Sequence, residues 1–430
     1  MEGGSANSPS IPDSSPGRSE EREPARSGAQ LLVLLLISTM AVLIGAGLAP
    51  CLPAMAEHFG GTPRSAFGVR LVLTMPALAT AFAAPLAGVA IDRIGRRPLL
   101  VASAVLYGAA GGSGFLLDSI PALLASRAAL GLAVAGIMTT TVTLIADTFS
   151  GGARNRAMGL QAAFMGFSGV VYVTAAGLLA DLGWRYPFLL YLVSFALLPL
   201  VLRHVAEPDI ARRGADGLND SDGGTRGRSA PFPVGVTLML YGLAFSGMVA
   251  FYLVPVQAPF RLTELGAGGG SGVGIALAAF TVFAATSSSF YGRTRDRLSF
   301  QAVFAGVFVL MGSGFLVLAA ARSYLQAVGG LVVTGVGMGM FMPNLNVWAV
   351  ARLDESVRGR VIGGLTTCAF LGQFTSPLVS QPIASRHGIG AAFGTFALPL
   401  FGIALAFLAA RLVRPRRGAR AGKGPDDEPR

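Results

Sequence analysis

The residue types able to do chemistry are sparse in this chain and collect at a few places. The densest group is Gly88-Val-Ala-Ile-Asp92-Arg93-Ile-Gly95-Arg96-Arg97, in which one carboxylate is followed closely by three guanidiniums. Asp92 and Arg96 stand four apart, which is one turn on a helix. Such a set makes ion pairs and charge-assisted hydrogen bonds; it supplies no nucleophile or paired general acid and base. A looser copy, Gly292-Arg-Thr-Arg-Asp296-Arg297, comes later, and each copy is followed by a second basic pair, Arg154 with Arg156 and Arg358 with Arg360. Cys51 and Cys368 lie within or beside apolar stretches and read as small buried residues. His58, His204 and His387 fall near predicted helix ends and form no ligand cluster. No cofactor, metal or catalytic centre is expected, and the chain does not read as an enzyme.

Composition says what must position these groups. Hydrophobic residues make up 53% of the 430 residues and charged residues 13%, against about 25% charged for an ordinary soluble domain. The apolar residues run in stretches long enough to cross about 30 Å of hydrocarbon as helices. The short alternating segments of a membrane barrel are absent. The formal charge of +11 is no nucleic-acid signal, because no basic block is interleaved with aromatics. Arginine supplies nearly all of it, with Lys423 the only lysine, a bias that suggests a GC-rich bacterial genome. The partners expected are the lipid bilayer and a small molecule, with no nucleic acid, and the chain is expected to work as a monomer.

Twelve spans are predicted, at 31–56, 66–90, 98–117, 121–147, 157–180, 186–205, 233–257, 272–291, 300–321, 324–350, 360–384 and 389–413. They divide into a disordered tail at 1–30, a six-helix bundle at 31–205, a polar, Gly-rich linker at 206–231, a second bundle at 232–413 and a basic tail at 414–430. With the N-terminus cytoplasmic, the tails, the linker and the loops after helices 2, 4, 8 and 10 hold all but seven of the 33 Arg and Lys residues. The seven left to the membrane and the other face are Arg64, Arg70, Arg127, Arg185, Arg261, Arg322 and Arg386. The positive-inside rule then puts both termini in the cytoplasm. The Gly-rich stretch Gly266–Gly272 lacks the Gly-Lys-Ser/Thr of a phosphate loop and reads as a flexible connection.

One offset relates the two halves. Adding 204 carries Gly88, Asp92 and Arg93 onto Gly292, Asp296 and Arg297, Gly131 onto Gly335, and the Arg154 to Gly159 segment onto Arg358 to Gly363. A constant shift that aligns three separate segments implies a duplicated six-helix unit, a mark of transporter architecture.

The chain resembles the major facilitator superfamily. Gly88 to Arg97 fits that family's loop 2–3 signature, G-x-x-x-D-R-x-G-R-R, at every defined position. Arg127-x-x-x-Gly131 with Ala135 and Gly136 looks like its helix 4 motif, and Gly183-Trp184-Arg185 is also similar to that group. The likeness spans 31–413 and is greatest to the twelve-helix drug-efflux branch, drug:proton antiporters. The Gly-rich fifth helix, Gly166 to Gly177, departs from that branch in lacking the usual Gly-Pro pair. The resemblance implies an all-α membrane protein of twelve transmembrane helices in two pseudo-symmetric six-helix bundles. It also implies that Gly88 lets helix 2 approach helix 11, that Asp92 faces the start of helix 11 near Gly363 and Gly364, and that Arg96 bridges to Asp147. Asp92, Arg96 and Asp147 are thus expected to latch an outward-open state. The second half has no such cluster, because the corresponding residues are Asp296, Phe300 and Ala351.

Inside the predicted bilayer Arg127 is the clearest ionisable residue, facing either a substrate or the outer interface. None of the 22 acidic residues falls in the middle of a span. The resemblance implies a cavity lined by helices 1, 4, 7 and 10, which offer Tyr241, Tyr252, Asn344, Asn346 and Trp348; Gln161 and Gln373 could add to it from helices 5 and 11. Asn344 and Asn346, after Pro343, are expected to mark a broken, water-lined segment or a helix–helix bond. A mostly apolar cavity suits an amphiphile better than a sugar. The expected function is export of a small amphiphilic compound, a drug or secondary metabolite, across the plasma membrane of a bacterium at the expense of a proton gradient. Uptake of an organic acid, with Arg127 as the anion contact, is the alternative.

Overall fold

The computed structural model describes residues 22–207 and 233–413. Twelve helical rods fill these segments. The first, α1, is broken into Arg22–Ser38, Met40–Ala46, a 3-10 turn at Ala49–Cys51, and Leu52–His58. Pro50 and Pro53, which have no N–H to continue the ladder, lie at that break. Then come α2 (Pro63–Ile94), α3 (Arg96–Ser113), α4 (Ile120–Thr148), α5 (Gly151–Leu182) and α6, whose 3-10 turn Tyr186–Leu192 runs into Val193–His204. The second half has α7 (Val234–Glu264), α8 (Gly270–Ser289, with a jog before Tyr291–Arg297), α9 (Phe300–Ala320), α10 (Tyr324–Arg352), α11 (Glu355–His387) and α12 (Ile389–Val413).

Ten of these rods are long and apolar enough to cross a membrane by themselves. The other two, α3 and α11, carry pairs of arginines near their starts, and α11 carries polar residues along its length. Packing supplies what hydropathy does not: α3 lies against α4 and α6, and α11 against α7 and α2. The predicted spans are each found, with shifted ends. Helix begins at Arg22, so the last part of the expected 1–30 tail is helical. The linker from 208, the tail from 414 and residues 1–21 lie outside the described residues.

The duplication is visible in three dimensions. Ser119 caps α4 by accepting from Ala122 N, and 204 residues later Ser323 caps α10 by accepting from Gln326 N. A side chain at Gly131 would overlap the Pro76 carbonyl of α2, and one at Gly335 the Phe280 carbonyl of α8. The paired glycines therefore hold α4 on α2 and α10 on α8 at backbone contact distance. Each half has its own apolar core. The halves meet along two seams that exchange under the same symmetry, α2 against α11 and α5 against α8.

Candidate functional site

The two seams are closed at one end and open at the other. At the end away from the chain termini, Gly177 of α5 lies against the backbone of Gly270 and Gly274 of α8, and Asp181 accepts a hydrogen bond from Ser271 N at 3.1 Å. The α2 seam is closed at the same level. Arg70 donates to Gln257 Oε1 of α7 at 3.1 and 3.0 Å, and Gln257 Nε2 donates to Ser380 Oγ of α11 at 3.1 Å. Toward the terminal face, Gly88 of α2, Gly159 and Gly166 of α5, Gly292 of α8, and Gly359 and Gly363 of α11 have no atom of another helix near the place a Cβ would occupy. All four seam helices therefore diverge at that face.

A central cavity of about 270 Å³ sits between the halves. Ala41, Val42, Gly45 and Ala49 of α1, Gly169 and Val173 of α5, and Phe251, Tyr252, Val254 and Pro255 of α7 form most of its wall. Leu277, Phe280, Thr281 and Ala284 of α8 and Gln373 of α11 complete it. Helices α4 and α10, expected to contribute, do not line it. Thr281 Oγ1 is already bonded to its own helix at Leu277 O (2.8 Å). Gln373 Nε2 has only a 3.9 Å contact with Met248 Sδ, so its amide, like the Tyr252 hydroxyl, can serve a polar ligand group.

Of the eight residues named from sequence as cavity or substrate candidates, Gln373 and Tyr252 line this cavity. Arg127 is fully buried within the first half: Nη2 donates to Ala110 O (3.2 Å) and Gly111 O (2.7 Å), and the guanidinium lies over Phe188 and Tyr191. It ties α4 to α3 and α6, and neither of the positions expected for it is realised. Gln161 donates to Ser38 Oγ at 2.7 Å, joining α5 to α1. Asn344 accepts from Tyr291 Oη (3.2 Å) and donates to Phe300 O (3.1 Å), which makes it the helix–helix bond of the two readings. Asn346 is exposed, and α10 continues through Pro343 without the expected break. Tyr241 packs against Gly364, and Trp348 lies in an aromatic cluster with Phe304 and Phe407. Tyr252, by contrast, is in the cavity wall.

The loop 2–3 motif sits on the terminal face. Gly95 adopts φ +91°, a conformation L side chains resist, and turns the chain from α2 into α3. Arg96 Nε lies 2.5 Å from Asp147 Oδ2, as expected. Asp92 and Arg93 are exposed, and Asp92 has no ion pair among the described residues, so the three-membered cluster is not assembled in this conformation. One partner went unnoticed in the sequence. Glu207, just beyond α6, accepts from Arg96 N (2.7 Å) and Arg97 N (2.6 Å) and thereby caps α3, while Arg97 Nη2 donates to Leu202 O (2.6 Å). In the second half Gly292, Asp296, Arg297 and Arg360 are exposed, and Arg358 Nη2 reaches Leu353 O at 3.2 Å. Where the first half has an ion pair, the second stacks Arg295 3.7 Å over the ring of Phe300.

The model of the Major Facilitator Superfamily matches residues 34–236 and 239–429. The chain belongs to that superfamily. Its architecture agrees: the inward-open xylose transporter XylE from E. coli superposes with a TM-score of 0.72 at 15% identity, covering 90% of this chain and 96% of that one. A bacterial homologue of the human lysosomal transporter Spinster, inward-facing and occupied, gives 0.72 at 15% identity over 92% and 98%. In sequence the chain is similar to the class C tetracycline resistance protein of Escherichia coli, 28% identical over 83% of this chain and 90% of that one. It is also similar to the 3-(3-hydroxy-phenyl)propionate transporter of E. coli K12, 23% identical over 77% and 80%. Multidrug resistance protein 1 of Bacillus subtilis is 28% identical over 40% of this chain.

Proposed function

We propose that this chain exports a small amphiphilic organic compound, a drug or secondary metabolite, by alternating access between its two halves. The observation that carries the reading is the apolar cavity at the pseudo-symmetric interface, reached from one face and sealed from the other by the Arg70–Gln257 and Gly177–Gly274 contacts. Similarity to tetracycline and multidrug resistance proteins supports export. The arginine-rich terminal face is taken as cytoplasmic, so this conformation is open inward, ready to load from the cell. The membrane is then the plasma membrane of a bacterium, the working unit a monomer, and the energy source the proton gradient.

Uptake of an organic acid is the second reading, supported by the 3-(3-hydroxy-phenyl)propionate relative. Its sequence-based anion contact, Arg127, is committed to backbone carbonyls inside the first half and does not touch the cavity. Transport in everted vesicles across a compound panel, with and without a pH gradient, tests the proposal. Gradient-dependent accumulation of amphiphiles is expected. Accumulation indifferent to the gradient rules out proton antiport, and inward-only flux in intact cells rules out export.

A further inference from the structure

The seal away from the termini holds a charge that the cavity does not use. Arg70, two turns into α2, is 2% exposed. Besides its two donations to Gln257 Oε1, it gives Nη1 to Ala66 O at 2.9 Å and lays its guanidinium 3.6 Å from the Phe260 ring centroid. Gln257 passes the contact to α11 through Ser380 Oγ (3.1 Å) and Gln381 Oε1 (3.3 Å). No carboxylate pairs with Arg70 among the described residues. Glu264, farther along α7, is held by Arg261 at 3.0 Å. Tyr252, Val254 and Pro255 line the cavity, and Gln257 follows two residues later on the same helix, so the Arg70 layer lies next beyond the cavity. The cavity wall itself carries no Asp, Glu, Lys, Arg or His.

Arg70 belongs to the first half and Gln257 to the second. When the halves part at this face the guanidinium loses its amide acceptor and borders the opened path. A cation that keeps only the Ala66 carbonyl on its own helix has free donors for any passing group that can accept a hydrogen bond, and repels positive charge through a medium of low dielectric. We propose that Arg70 sets the charge selectivity of the path, admitting neutral and anionic amphiphiles and excluding organic cations. The inference rests on the transport reading and narrows its substrate class, but it does not depend on the direction of transport.

The test uses the full chain in proteoliposomes with the membrane potential clamped at zero. Three fluorescent compounds share one aromatic scaffold and carry an amide, a carboxylate or a quaternary ammonium. In the wild type the cation should cross at least about tenfold more slowly than the neutral compound, a ratio within reach of one unpaired buried charge. Arg70→Gln should bring the two within about twofold and slow the anion. Arg70→Lys, which keeps the charge but loses the fork, should keep the exclusion. Gln257→Glu neutralises Arg70 in place and should relax the exclusion even if Arg70→Gln fails to fold. Flux of all three compounds without charge preference, or a preference unchanged in both Arg70→Gln and Gln257→Glu, overturns this proposal alone. No flux of any compound overturns the transport reading and the selectivity with it.

Discussion

Arg96 pairs with Asp147 on the neighbouring α4, not with Asp92 one turn earlier in its own motif. The pair is largely shielded, with side chains 14% and 22% exposed, whereas Asp92 faces outward. The two acids should therefore separate by experiment. Asp147→Asn should destabilise the protein by about 1–3 kcal/mol, read as a lower Tm in detergent. Asp92→Asn should leave Tm unchanged and bias the protein toward the conformation seen here, read as a longer spin-label distance between positions flanking Gly88 and Gly363. A falling Tm in Asp92→Asn would contradict its free state.

Glycines at the two ends of the seams should respond in opposite ways. A Cβ at Gly88 meets open space in this conformation, and the family resemblance puts α11 against it when the seam closes, so Gly88→Leu should fold normally and lose transport. Gly274→Leu wedges α8 off α5 and should make the end away from the termini reachable by a membrane-impermeant thiol reagent at an introduced cysteine. Equal labelling with and without the substitution would contradict that wedge.

Arg127 is a structural residue in this fold. Arg127→Met removes the donors of two interhelical hydrogen bonds and both ring contacts, and should cost about 2–4 kcal/mol of stability. Among variants rescued at low temperature, KM and the order of preferred substrates should match the wild type. A changed preference would return Arg127 to the transport path.

Gln373 offers the cavity an amide hydrogen bond. Gln373→Leu should weaken binding of substrates with an acceptor or donor at that level by about tenfold, while purely apolar competitors keep their affinity. Competition against a fluorescent substrate measures both.

Asp118, in the loop between α3 and α4, is exposed and accepts hydrogen bonds from His58 (2.7 Å) and Arg185 (2.6 Å). The bond from His58 is the foremost cause that lowers its pKa below the ordinary carboxylate value, with Arg185 adding to it. A carboxylate depressed in the folded state stabilises the fold above its unfolded pKa, and that contribution is lost as pH falls through the folded value. The Tm difference between wild type and Asp118→Asn should therefore be full above the ordinary carboxylate pKa of about 4 and fade only as pH falls below it. A difference that grows on acidification would reverse the assigned sign.

Runs of apolar residues, the 204-residue offset and the loop 2–3 motif made the fold legible before any coordinates, because each depends on local chemistry: length against bilayer thickness, glycine against backbone contact, arginine against topology. The cavity was less legible. Whether Gln161, Asn344 or Gln373 faces a neighbour or the central space depends on helix rotation, which long, nearly all-apolar helices do not encode. Arg70 was counted among the seven residues left to the membrane and the other face. Its place two turns inside α2, after the Thr62 cap and Pro63, was the signal that it is buried. Glu207 lay at the edge of a polar linker, and only its geometry shows a carboxylate sealing the first turn of α3.

The ion pair Arg96–Asp147 and the stacked pair Arg295–Phe300 occupy equivalent corners of a duplicated body. Dissolved electrolyte weakens the first only modestly, since the pair is largely shielded, and the second less still. Raising ionic strength should therefore loosen one corner ahead of the other. A machine built from two copies of one part would then become mechanically lopsided in brine, its rocking governed by the copy that kept its carboxylate.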